Sequence, residues 1–110
     1  MKAANYGRTV NIASTEALAV EPHVSGYAAS NGAVLAFARS LAVELAPHGI
    51  LVNAVAPGCM HTPMSTINGV DETTTPEFRE WYVKRRKIPL ARPGEPHEVA
   101  SAELLLSSEE

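Results

Sequence analysis

Apolar residues follow two different periods along this chain. From about 27 to 45 they recur at Val34, Leu35, Ala38, Leu41, Ala42 and Leu45, the i, i+3, i+4, i+7 spacing of a helix with one face in a core. Pro47 and Gly49 mark its end. The flanking runs lack that spacing. Residues 8–13, RTVNIA, are β-branched, opened by Gly7 and closed by Ser14 and Thr15, and read as a buried strand. Residues 50–56, ILVNAVA, are almost wholly apolar, as a strand covered on both faces of a parallel sheet should be, and Pro57 and Gly58 stop it. Strand, helix and strand with short connections predict a βαβ unit, which crosses over right-handed into a parallel sheet.

Beyond Gly58 the texture changes. Residues 59–76 are rich in Thr, Gly, Asn and Pro, and the charged segment EFREWYVKRRK after them predicts a short helix bearing Phe78, Trp81 and Tyr82. Together, residues 59–90 read as a mobile flap. At the end, Pro96 fits the first position of a last helix, with Val99, Ala102 and Leu106 as one apolar stripe. No repeat, low-complexity tract or interdomain linker is visible, so residues 1–110 read as part of a single domain. Two adjacent parallel strands and three helices cannot cover both faces of a sheet. The expected fold class is therefore α/β, part of a doubly wound, three-layer α/β/α parallel sheet. It is expected to be cut at the N-terminus, where the first strand starts close to Met1, and at the C-terminus, where SSEE follows the last helix with no further strand.

Composition narrows the partners. With 45% hydrophobic and 19% charged residues the chain has the makeup of a globular domain, and its formal charge of -3 argues against nucleic acid as a partner. No apolar run approaches the roughly 20 residues of a membrane span, and MKAANYGRTV lacks the apolar core of a secretory signal, so a cytoplasmic location without a membrane partner is expected. Cys59 is the single cysteine and has no partner for an internal disulfide. His23, His48, His61 and His97 lack metal-ligand spacing, and Cys59 with His61 makes only a two-member cluster, so no metal is expected.

Four motifs in order carry the chemistry: VNIAS, Tyr27 with the following AAS, thirteen positions after Ser14, LVNAVAPG with Thr62 four beyond Gly58, and GEPHEVA. In this combination the chain resembles the classical short-chain dehydrogenase/reductase (SDR) family, over nearly its whole length. The resemblance implies a Rossmann-like fold and an oxidoreductase that transfers a hydride between NAD or NADP and an alcohol or carbonyl substrate. Tyr27 would exchange a proton with the substrate oxygen and Ser14 would hold that oxygen. The backbone at Pro57 and Gly58 and the side chain of Thr62 would hold the nicotinamide carboxamide, while Tyr27 and Asn31 would lie against the cofactor. The family's TGxxxGxG turn and NNAG stretch do not occur between Met1 and Glu110. A homo-oligomer is implied too, with Ala36, Ser40 and Val43 facing a second copy.

One position departs from the pattern. Four residues after the tyrosine the family carries a lysine, and here stands Asn31. A free phenol has a pKa of ~10 and is a poor base at neutral pH. A neighbouring cation typically lowers a pKa by ~1–3 units, so about 10- to 1000-fold in rate is at stake. Arg39 is about 18 Å further along the helix at ~1.5 Å per residue, and Lys84 and Lys87 reach the site only if the flap folds inward. Asn31 is read either as a ribose contact or as a residue tolerated in a non-catalytic relative that serves as an oligomerisation partner. Plainer roles stand beside the others. Ser14 can simply close a strand, Asn53 ties backbone together, and Met60, Met64, Ile67, Trp81 and Tyr82 are flap packing or the wall of a substrate pocket between the flap and residues 16–26.

Overall fold

The computed structural model describes residues 1–109. The chain forms two compact units, one of Met1–Pro57 with the residues from Ser101 onward, the other of Gly58–Ala100.

The first unit is built on β1 (Gly7–Ile12), α1 (Ser25–Leu45) and β2 (Ile50–Val55). The strands pair in parallel, from Gly7 opposite Ile50 to Ile12 opposite Val55. One more bond, from the Ala13 amide to the Val55 carbonyl at 2.8 Å, extends the ladder past β1. Alternation along β2 decides what it buries. Ile50 and Val52 are buried with Ala38 of α1, and Leu41, Ala42, Leu45 and Ala54 pack around them, which is the helix stripe the periodicity predicts. The opposite face departs from expectation: Leu51 is 52% exposed and Ile12 51%, so the strands are not covered on both sides. A single helix laid on two strands reaches only every second side chain.

Two details fix the geometry of this unit. Gly49, at φ 65°, turns the chain from α1 into β2, and a Cβ there would stand 2.5 Å from the Asn5 carbonyl oxygen. The backbone tie expected of Asn53 is made by its neighbour instead: Asn11 Nδ2 donates to the Asn53 carbonyl at 3.1 Å.

In the second unit, residues 59–76 hold a small antiparallel hairpin, β3 (Thr66–Ile67) and β4 (Val70–Asp71), that the sequence reading missed. Its turn is Asn68 and Gly69, both at positive φ, the residue pair that favours a two-residue hairpin. Next, Thr75 caps α2 (Pro76–Phe78) by accepting from the Phe78 amide at 3.2 Å, and the chain continues as a π-helical stretch over Arg79–Lys84. Phe78 is buried and its ring lies 4.8 Å from that of Tyr82.

The last helix, α3 (Pro96–Ser107), starts where Pro96 predicts. Glu98 reaches back to the Glu95 amide at 2.8 Å, half of a capping box. The same carboxylate binds Arg92 through two bonds of 2.7 and 2.8 Å, and that pairing first, with the amide bond second, brings its pKa down to about 2. The expected stripe is incomplete. Val99 and Leu106 are half-buried but Ala102 is exposed, and no residue of α3 is fully buried.

Candidate active site

Ser14 lies two residues beyond the last residue of β1. It is buried, with 8% of its surface exposed, and its Oγ accepts from the Glu16 amide at 3.2 Å, capping the 3-10 turn Thr15–Ala17. Its own hydroxyl proton goes to no other residue among those described. The Thr15 amide donates to the Pro57 carbonyl at 3.0 Å, so the two strand ends are tied together at the serine and the proline. That edge is where an open parallel sheet presents its ligand crevice.

Tyr27 sits in the first turn of α1, and α1 packs against the 3-10 turn that follows Ser14. The fold thus brings Ser14, the start of the tyrosine helix and Pro57 to one end of the first unit. The Tyr27 side chain is 44% exposed and its hydroxyl is bonded to no described residue. Its carbonyl is fully engaged: it accepts from Ser30 Oγ at 2.7 Å and from Asn31 Nδ2 at 2.9 Å.

Asn31 is 8% exposed and turns its amide nitrogen back on the helix, leaving Oδ1 without a bond among the described residues. The lysines of the second unit are engaged within it. Lys84 pairs with Glu80 at 2.7 Å, and Lys87 lies 3.9 Å from the centre of the Trp81 ring. Arg39 is exposed on α1.

Gly58 and Thr62 belong to the second unit. Thr62 is extended, half-buried, and leaves its side chain out of the turn Pro63–Ser65 that it opens, while its carbonyl accepts from the Ser65 amide and hydroxyl at 2.9 and 2.7 Å. Sequence reasoning overlooked the neighbouring residue. His61 Nε2 is 2.8 Å from Asp71 and Nδ1 is 3.6 Å from Glu95, partners ten and thirty-four residues away that no local spacing announces. The unit also contains a cavity of about 460 Å³ walled by Ile67, Val70, Phe78, Trp81 and Tyr82, with Glu72, Thr75 and Glu77 at its edge. Of the five residues considered for a substrate wall, Ile67, Trp81 and Tyr82 line this cavity, Met64 is 79% exposed, and the Met60 side chain lies against Gly94.

All of residues 1–110 match the family described as Enoyl-(Acyl carrier protein) reductase, and the chain belongs to the short-chain dehydrogenase/reductase family. It is 38% identical over 104 residues to a 3-oxoacyl-[acyl-carrier-protein] reductase of Aquifex aeolicus, covering 94% of this chain and 39% of that protein. A gluconate 5-dehydrogenase of Burkholderia cenocepacia, solved with NADP and tartrate, is similar at a TM-score of 0.85 and 29% identity, over 97% of this chain and 40% of the other. A 3-oxoacyl-[acyl-carrier protein] reductase of Brucella melitensis with bound NAD gives a TM-score of 0.81 at 39% identity, over 100% and 37%. The α/β, Rossmann-like parallel fold is therefore that of the family, and the chain spans about two-fifths of the length of the relatives it matches.

Proposed function

We propose that this chain carries the proton-transfer and nicotinamide-end half of an NAD- or NADP-dependent oxidoreductase acting on a small alcohol or carbonyl compound. The observation that supports it most directly is two hydroxyls that donate to no described residue, that of Ser14 just past β1 and that of Tyr27 in the first turn of the helix packed against the turn after Ser14. In carbonyl reduction the Tyr27 hydroxyl gives its proton to the substrate oxygen, and Ser14 donates a hydrogen bond to that same oxygen, holding it as charge develops. When bound, the reduced cofactor, NADH or NADPH, would supply the hydride for reduction, and its oxidised form would accept one in the reverse direction.

The residues on hand suit the nicotinamide end of such a cofactor. Within the first unit, Pro57 lies past the end of β2 and the bare Oδ1 of Asn31 suits a ribose hydroxyl; within the second, taken by itself, Thr62 keeps a hydroxyl that suits a carboxamide. Relatives solved with NADP and with NAD support the cofactor class without choosing between the two.

The test is titration of the chain with reduced cofactor, followed by fluorescence, and turnover of simple ketones. Binding is expected with wild type. Tyr27→Phe is expected to keep binding and lose at least about 100-fold in turnover, the range typical of a general acid. No fluorescence change with either cofactor would remove the cofactor reading.

A second reading is favoured by α1 itself. Phe37 and Val43 are 57% and 77% exposed, and Ala36 and Ser40 stand exposed beside them, which suits a helix that packs on a copy of itself. With Asn31 replacing the cation, the chain would then serve as a non-catalytic oligomerisation partner. A strict monomer in sedimentation at high concentration would count against it.

A further inference from the structure

We infer that His61 is a positioning residue for Thr62: its imidazolium clamps the Thr62 turn between Asp71 and Glu95, and the clamp loosens when the imidazole loses its proton. The consequence for cofactor affinity rests on the function proposed above.

The argument starts from what flanks Thr62. On one side, His61 places Nε2 2.8 Å from Asp71 Oδ2 and Nδ1 3.6 Å from Glu95 Oε1, and its amide donates to the Gly94 carbonyl at 2.8 Å. On the other, the Ser65 hydroxyl shares its proton between the Thr62 carbonyl at 2.7 Å and Asp71 Oδ1 at 3.0 Å. His61 and Ser65, one before Thr62 and one at the end of its turn, therefore converge on one carboxylate. Asp71 is held in turn by the Thr73 hydroxyl at 2.7 Å and the Thr73 amide at 2.9 Å. The Thr73 hydroxyl above all keeps the Asp71 carboxyl below the usual range; burial, the next largest effect, opposes it, and the Thr73 amide, Ser65 and His61 add to the lowering. It stays charged wherever an imidazole titrates.

Proton count then sets the strength of the clamp. An imidazolium carries two N–H groups and serves both carboxylates, whereas a neutral imidazole carries one and serves one. The charged groups facing His61 are Asp71 from β4 and Glu95 from the turn before α3. The others in that turn are matched among themselves: Arg92 and Glu98 form their two-bonded pair, and His97 lies near Glu98.

The test is hydrogen exchange at the His61 and Ser65 amides, which donate to the Gly94 and Thr62 carbonyls, in the whole chain, corrected for intrinsic rates, at about pH 5.5 and 8.5. The dissociation constant for reduced cofactor is measured at the same two values. Protection is expected to fall by about 2- to 5-fold at the higher pH, the range of a half-exposed ion pair, with affinity falling alongside. His61→Gln should abolish the difference and His97→Gln should keep it. His61→Arg, a permanent cation that pairs with carboxylates, should hold the turn tightly at both values. A wild-type protection independent of pH, or one whose pH dependence survives in His61→Gln, overturns the clamp. Protection that follows His61 while affinity stays flat overturns the link to the cofactor. Protection that follows His61 with no cofactor bound at either pH leaves the clamp standing and removes the proposed function instead.

Discussion

In the proposed reaction, Asn31 bears on how well Tyr27 works as an acid or base. Its amide nitrogen is bonded to the Tyr27 carbonyl, so the residue steadies the backbone of the turn that carries the phenol while bringing no charge to it. Replacing it with lysine exchanges one role for the other. Asn31→Lys is expected to lose that bond, costing about 1 kcal/mol, and to gain a cation one helical turn from the phenol. Turnover at neutral pH should rise about 10-fold or more, with the basic limb of the pH–rate profile moving to lower pH. A lower melting temperature with an unchanged profile would show that the charge is supplied by another group.

Ser14 illustrates how much of the site was legible residue by residue. Its spacing from Tyr27 and its place after a β-branched run marked both residues, and the structure sets the serine two residues past β1, capping the turn Thr15–Ala17, and the tyrosine in the first turn of α1. The sequence left Asn31 open between a ribose contact and a residue tolerated in a non-catalytic relative, and its bond to the Tyr27 carbonyl was not foreseen, because a side-chain amide can serve any acceptor that the helix places near it. His61 was invisible as a partner of Asp71 and Glu95, since neither its spacing nor its neighbours in the chain foretell a contact across the hairpin.

Among the elements, α1 follows its apolar period closely, because the side that repeats is the side that is buried, whereas β2, an apolar run read as covered on both faces, leaves Leu51 half exposed. The hairpin β3–β4 has no such period. With two residues per strand it leaves only the Asn68–Gly69 turn as a signal, and that pair was read as loop chemistry. The start of α3 depends on charge more than on packing. Glu98 has its pKa lowered from 4.5 to about 2, so its contribution to the fold is fully present above the unfolded value and is lost as pH falls through the folded one. The window is therefore the acid range between those two values. Thermal melts across it should show wild-type stability declining toward the lower limit, while Glu98→Gln, already without the pair, should decline less. A parallel decline in both would place the acid sensitivity elsewhere.

For the whole molecule, the face of the two-stranded sheet turned away from α1 is the feature with consequences in solution. Ile12 and Leu51, each about half exposed, stand on that one face of the paired strands. Apolar surface of this kind favours association. The 110-residue chain is expected to self-associate with concentration in sedimentation, and Ile12→Lys with Leu51→Lys together should shift it toward monomer while β1 and β2 remain paired. Association unchanged by the two substitutions would locate the sticky surface on α1, at Phe37 and Val43.

The sequence by itself determined the βαβ unit, the motif residues proposed to carry the chemistry and the family to which the chain belongs, because periodicity and motif spacing are properties of neighbours along a chain. Only the tertiary structure decided that α1 covers one face of the strands and leaves the other bare, that Asn31 turns toward the Tyr27 carbonyl, and that His61 stands between two distant carboxylates. Burial and hydrogen bonding depend on what arrives from elsewhere in the chain, and a side chain takes its partner only once the backbone has placed one within about 3 Å.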